Sequence, residues 1–227
     1  MFRRLLAVFK YKKLARQLRK PAGKAGHDVA LMMNRANRSL YQLTLEQLQL
    51  SPGDTILEIG FGNGALFPTM AAAFPGVNFC GIDYSDDMVR EATELNKEML
   101  SAGQLHLTSG HSNQLPYEAG RFAAVYCINV FYFWDKPVEH IREVHRVLQA
   151  GGLFAVTIRS RENLDQMPFT RYGFNKWDTG ALEQLLVANG FSLERTAKLE
   201  EAVQLDSGAA VQLTSYCVLV KKSGTGL

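Results

Sequence analysis

From residue 55 to residue 159 the chain alternates between short apolar runs and stretches of helical period. The runs at 55–59, 78–83, 105–108, 122–128 and 152–159 have strand length and strand composition. Between and beyond them, 64–74, 85–101, 136–148 and 178–189 carry apolar residues at helical spacing. Strands that are apolar along most of their length must be covered on both faces. The alternation therefore predicts an α/β sandwich around a mostly parallel sheet. Two more apolar runs, "FSLERTAKL" and "VQLTSYCVLV", follow each other with no helix between them and predict a closing hairpin with one antiparallel strand.

The first strand runs into "GFGNGA", residues 60–65, and a helix follows. Glycines at such a turn permit positive φ and let a ligand approach bare backbone, and in open parallel sheets ligands bind beyond the carboxyl ends of the strands. Gly60, Gly62 and Ala65 match the dinucleotide pattern GxGxxG/A, while Glu58, Gly60, Gly62 and Gly64 match ExGxGxG. The second strand, "VNFCGID", ends at Asp83, where a carboxylate can hold two ribose hydroxyls; the alternative role is to cap the helix starting near Ser85. Both kinds of nucleoside cofactor want that carboxylate. Two features favour the second pattern. About fifty residues of helix precede the glycine-rich strand, and the sheet fills the rest of the chain, leaving no separate substrate domain for a dehydrogenase.

"ILEIGFGNG", "GIDYSDDMVREA", "LPYEAGRFAAVYCINVFYF" and "VLQAGGLFAVTI" together resemble the successive motifs of class I S-adenosylmethionine-dependent methyltransferases, over about residues 51–160. The upstream stretch "RKPAGKAGHDVALMMNRANRSL" resembles an N-terminal segment of some bacterial members. The resemblance implies a Rossmann-like three-layer sandwich with a seven-stranded, mostly parallel sheet, the last strand antiparallel. It implies S-adenosylmethionine as cofactor, with S-adenosylhomocysteine as product. Glu58 would support the loop and the cofactor's amino group, partly through water. Gly60, Gly62 and Gly64 would line the methionine moiety, Asp83 would hold the ribose hydroxyls and Tyr84 would lie against the adenine, with Phe61 and Met88 also among the cofactor-binding residues. The backbone of Ile128 and Asn129 would meet the methionine amino group. The chain departs from the family pattern at two places. Gly110-His111 stands where Gly-Asp is usual, so His111 or Ser112 takes over the adenine contact or leaves it to backbone. Phe122-Ala123 replaces Phe-Asp, which removes a strand-end hydrogen bond.

Methyl transfer is an in-line displacement for which the protein supplies orientation and desolvation, with a base only where the acceptor must lose a proton. The weak catalytic candidates are Asn129 and Tyr132, in the aromatic run "NVFYFW" after the fourth strand, and His27 before the helix at 28–49 that Asp28 can cap. His140 and His145 read as surface or packing residues of an outer helix, five apart and so unsuited to an i, i+4 metal pair. No metal site is expected. A second stretch, 160–176, reads as a long irregular loop with basic surroundings.

These elements divide the chain into a basic helical arm and cap, 1–50, and a methyltransferase domain, 51–227. Residues 1–24 carry nine Lys and Arg and no acid; the remaining 16 basic residues face 22 acids, a net of −6. Phe2, Leu5, Leu6 and Phe9 share one face of the arm, and Ala7, Tyr11, Leu14 and Leu18 nearly the opposite one. That pattern suits two short helices, or one twisted against the body, rather than a single membrane-surface stripe. Peripheral membrane contact through 1–24 stays open; nucleic acid is disfavoured for want of a recognition module. The three cysteines, Cys80, Cys127 and Cys217, are far apart in apolar runs and suit buried thiols in a reducing compartment, which together with the short apolar run after "MFRR" points to the cytoplasm. The expected partner is a small-molecule methyl acceptor. The alternatives are an NAD(P)-dependent oxidoreductase and a non-catalytic, membrane-associated protein on a methyltransferase scaffold.

Overall fold

A computed structural model describes residues 2–204 and 210–224, with side chains from residue 6 onward. Seven strands form one sheet in the order β3-β2-β1-β4-β5-β7-β6. They are β1 Thr55–Ile59, β2 Asn78–Asp83, β3 Leu105–Ser109, β4 Phe122–Ile128, β5 Leu148–Arg159, β6 Phe191–Gln204 and β7 Ala210–Lys222. All neighbours pair in parallel except at β7, which runs antiparallel to both β5 and β6. The strand order reverses between β1 and β4, so a crevice opens beyond their carboxyl ends.

The two-residue period of each strand splits the core into two layers. Leu57 and Ile59 of β1, Val125 and Cys127 of β4, and Phe154, Val156 and Ile158 of β5 face one way. They pack under α7 (Pro137–Val147) and α9 (Thr179–Val187) through Ile141, Val144, Leu182 and Leu186. Ile56, Ala124, Tyr126, Ile128 and Ala155 face the other way, under α3 (Arg38–Leu45), α4 (Phe67–Ala73) and α5 (Asp86–Leu95). Cys80, Cys127 and Cys217 are buried free thiols.

Several boundaries differ from the sequence expectation, each for a local reason. The helix expected at 28–49 is two helices, α2 (Gly23–Ala36) and α3, separated at Asn37. Asp28 lies inside α2, whose cap position is Ala22. The helix expected at 85–101 ends at Asn96, whose side chain donates to Gly64 O at 3.1 Å and Ala92 O at 2.9 Å; α6 (Lys97–Ser101) resumes after it. Residues 160–176 are irregular only in part, at 172–176. They form α8 (Arg161–Gln166) and a 3-10 turn at Pro168–Arg171, held by Asn175, which donates through its backbone to Tyr132 O at 2.8 Å and through Nδ2 to Trp134 O at 2.9 Å.

The arm is one helix, α1 (Phe2–Arg19), not two. Ala7, Tyr11, Leu14, Ala15 and Leu18 are buried or half-buried on its inner side, where it meets α2 and the Pro168–Arg171 turn. Leu6 and Phe9 face solvent. The second apolar face is thus a packing face; the side chains of Phe2 and Leu5 lie outside the described residues. No helix among the described residues is long and apolar enough to cross a membrane.

Candidate functional site

A cavity of about 430 Å³ occupies the crevice beyond β1 and β4. The glycine loop forms its floor, and each glycine serves differently. A Cβ on Gly60 would come within 2.4 Å of Val130 Cγ2, so the loop turns under the end of β4 only with a bare backbone there. Gly62, at φ 60°, has open space where a Cβ would sit and lines the cavity. Gly64 faces away from it, toward α5, where an added Cβ would come within 2.8 Å of Ala92 Cβ. Phe61 lines the cavity as well.

Asp83 ends β2 beside this loop. Its Oδ2 accepts from Gly62 N–H at 3.0 Å and its Oδ1 from Ser85 N–H at 2.9 Å. Burial pushes its carboxyl up to about 6, against the pull of those backbone donors. The capping role belongs to Ser85, whose hydroxyl accepts from Met88 N–H at 3.4 Å, so the carboxylate of Asp83 is left facing the cavity. Tyr84, Met88, His111 and Ser112 line the same end, with the Tyr84 and His111 rings 5.4 Å apart.

Glu58 lies behind the cavity wall rather than on it. It is 2% exposed, and Tyr41 of α3 stands between it and the open space. Tyr41 donates to its Oε1, and Tyr126 to its Oε2 at 2.8 Å. Burial outweighs both donors, and with the nearby charge of Asp83 raises this carboxyl to about 7. Glu58 is thus bonded to the cap through Tyr41 and to β4 through Tyr126, and it does not line the cavity.

Ile128 and Asn129 line the cavity at the end of β4. Asn129 sits at φ 57°, in the left-handed region that Asn tolerates better than most side chains. Its Oδ1 accepts from Tyr132 Oη at 2.9 Å and its Nδ2 donates to Asn37 Oδ1 at 2.9 Å. Tyr132 itself is 2% exposed and takes the backbone N–H of Arg159. It points into the core, where burial raises its phenol, and it does not reach the cavity. His27 does not reach it either: it lies half-exposed on α2, with Nδ1 3.1 Å from Glu91 Oε2. Asn129 is the one catalytic candidate on the cavity wall.

His140, read from the sequence as a surface or packing residue, lines the cavity mouth. It stacks on Trp134 with centroids 4.5 Å apart and planes 6° from parallel, and its Nδ1 is 2.7 Å from Ser112 Oγ. Burial pushes its imidazole down to about 4, so it is neutral at physiological pH. His145 does pack, edge-on to Phe191. Ala123 lies at the opposite end of β4 from the cavity, in the irregular step between Phe122 and Ala124, so that departure from the family pattern leaves the cavity wall untouched.

The cap supplies the residues that sequence reasoning missed. Leu18, Val29, Ala30, Met33, Asn34, Asn37 and Tyr41 form a roof over the cavity opposite the glycine loop. Their helical periodicity marks them as core-facing, but no local signal says that the core they face is open. Five polar contacts hold the roof down: Tyr41 to Glu58, Asn37 to Asn129, Tyr84 Oη to Arg19 O, Ser85 Oγ to Pro21 O, and Gly23 N–H to Asp87 at 2.7 Å. Among the described residues, no cluster of His, Cys, Asp and Glu could hold a metal ion.

A family model described as a methyltransferase domain matches residues 57–156, the stretch that builds β1 to β5. The uncharacterized methyltransferase YdaC of Bacillus subtilis is 31% identical over 131 residues, which are 58% of this chain and 70% of that protein. A fatty-acid O-methyltransferase of Mycolicibacterium smegmatis is 24% identical over 172 residues, 74% of this chain and 58% of that protein. In fold, the chain superposes with a TM-score of 0.73 on a Haloferax volcanii protein solved in complex with the Trm112 methyltransferase activator. That match covers 86% of this chain and 94% of the other at 15% identity. With the strand order, the glycine loop and the carboxylate at the tip of β2 all in the arrangement the motifs implied, the chain belongs to the class I S-adenosylmethionine-dependent methyltransferases.

Proposed function

We propose that the cavity holds S-adenosylmethionine along Gly60–Gly62 and Asp83 and receives a small, lipophilic, anionic acceptor beneath the cap. The observation that carries the cofactor assignment is the pairing of Gly62 with Asp83. The bare backbone of Gly62 leaves room beside the carboxylate, and Gly62 N–H and Ser85 N–H fix that carboxylate while leaving lone pairs for hydroxyl donors. When bound, the cofactor supplies an electrophilic methyl group on a positively charged sulfur. Tyr84 and His111 offer ring faces to a base, and Ser112, oriented by His140, offers a hydroxyl. Asn129, with its amide oriented by Tyr132 and Asn37, sits at the methionine end.

The roof points to the acceptor. Val29, Ala30, Met33, Val130 and Phe133 are apolar, and Asn34 and Asn37 add amide groups. The α2 and α3 residues in this wall include no carboxylate, histidine or lysine, and the phenol of Tyr41 is raised well above its ordinary range by burial and by Glu58. With no proton acceptor on the roof, deprotonating a neutral acceptor there would fall to groups at the floor and mouth such as Asp83 and His140, whereas a nucleophile that is already ionised needs none. A carboxylate on an apolar chain meets both conditions, and the kinship with a fatty-acid O-methyltransferase supports that reading.

Isothermal titration with S-adenosylmethionine, S-adenosylhomocysteine and NADH tests the cofactor. Micromolar binding of the adenosyl compounds, lost in Asp83→Ala, is the expected result; binding of NADH alone overturns it. Transfer of labelled methyl to a panel of long-chain carboxylates, amines and alcohols tests the acceptor. Labelling of amines or alcohols but not carboxylates rejects the anionic assignment.

A further inference from the structure

The outward face of α1 takes no part in the cavity or in packing. At 100° per residue, Arg16, Phe9, Lys13, Leu6 and Lys10 fall in that order within about 120° of the helix circumference. All five are exposed, Phe9 at 74% and Leu6 at 57%. Arg19, on the inner side, pairs with Asp135 at the cavity mouth. Lys10, Lys13 and Arg16 pair with no acid among the described residues, and the arm contains none. The result is a stripe of unneutralised cations with two large apolar side chains toward its amino end, on a helix packed against the body from behind.

We propose that this face docks the protein on an anionic lipid bilayer. Leu6 and Phe9 enter the boundary between headgroups and acyl chains, and Lys10, Lys13 and Arg16 lie against lipid phosphates. Apolar insertion and electrostatic attraction are the two terms by which interfacial helices bind, and here one face supplies both. A nucleic acid would use the cations and could stack on Phe9, but it gives Leu6 nothing. The packing of the arm favours docking as well, because its inner face already lies against α2 and the Pro168–Arg171 turn, so less conformational entropy is lost on binding. Leu18 and Arg19 of the same helix line the cavity, so a docked arm holds the cap at the membrane surface. The proposal does not depend on the cofactor or acceptor assignments.

The test is co-sedimentation of the full chain with mixed phosphatidylglycerol–phosphatidylcholine vesicles and with pure phosphatidylcholine vesicles, at low and high salt. The variants are L6S/F9S and K10E/K13E/R16E, neither of which touches the cavity wall; circular dichroism checks that both fold. Binding to the anionic vesicles only, weakened by salt, is expected for the wild type. The charge-reversal variant should bind at least about a hundredfold more weakly, and the L6S/F9S variant should also lose binding. Equal sedimentation of all three proteins overturns the proposal. So does binding to an oligonucleotide, or self-association through the stripe seen by light scattering, in the absence of vesicle binding.

Discussion

The phenol of Tyr41, on the helical cap, donates to Glu58 Oε1 on the first strand of the sheet. The second phenol, Tyr126, donates to Oε2 from the neighbouring strand at 2.8 Å. A carboxyl group lying under the glycine loop is thereby satisfied from the helical cap, and the cap is tied to the strand that runs into that loop.

Tyr41→Phe removes one donor from this carboxylate. The hydrogen bond favours the ionised form of Glu58, so its loss raises that carboxyl further. The expected destabilisation is about 1–3 kcal/mol where Glu58 is charged, above its folded pKa of about 7. It should shrink at about pH 5, where Glu58 is protonated. Urea melts at the two pH values measure this difference; an equal cost at both would remove the carboxylate from the explanation.

Glu58 also makes the ligand-free protein pH-sensitive. Between its ordinary 4.5 and its folded value of about 7, the group is protonated in the folded state and ionised in the unfolded chain. Its contribution is therefore fully present below 4.5 and is lost as pH rises through about 7, by an amount on the order of 3 kcal/mol. Asp83, raised from 3.8 to about 6, acts in the same direction at slightly lower pH. Glu58→Gln should flatten the upper part of this dependence and be more stable than wild type at about pH 8. Thermal melts across the window report it.

Asp83 carries the cofactor prediction. Hydroxyl donors favour the ionised carboxylate, so S-adenosylhomocysteine should bind more tightly as pH rises through about 6. Asp83→Asn should lose most of that pH dependence and about 100-fold or more in affinity, the worth of two hydrogen bonds to a charged group. Titration calorimetry at several pH values gives both numbers. Unchanged affinity in the variant would place the ribose elsewhere.

The two cavity-side glycines should respond differently to alanine. Gly60→Ala forces a methyl to 2.4 Å from Val130 Cγ2 at φ 77°, and should cost several kcal/mol of stability. Gly62→Ala has open space and carries only the positive-φ cost of about 1–2 kcal/mol. It should fold, yet bind the cofactor poorly, because its methyl stands in the cavity. Melting temperature and calorimetry on the two variants separate the effects.

The sheet, the closing hairpin and the glycine loop were legible in the sequence. Strand runs, helix periods and a glycine loop are local patterns, and each reports the burial of its own segment directly. Asp83 and Gly62, 21 positions apart, could be paired from the motif because the strand–loop–helix–strand path between them is short and regular. The roof was a different matter. Asn37 meets Asn129 across 92 positions, and Tyr41 covers a glutamate that the motif assigned to the ligand. His140 reaches Ser112 from a helix whose histidines read as outer-layer residues, and Tyr132 turns inward from an aromatic run that reads as pocket-facing. Periodicity gives the face of a helix that is buried. Only the folded chain decides what that face covers, because that depends on how α2 and α3 dock on the end of the sheet, and docking is set by contacts between segments that no local pattern encodes.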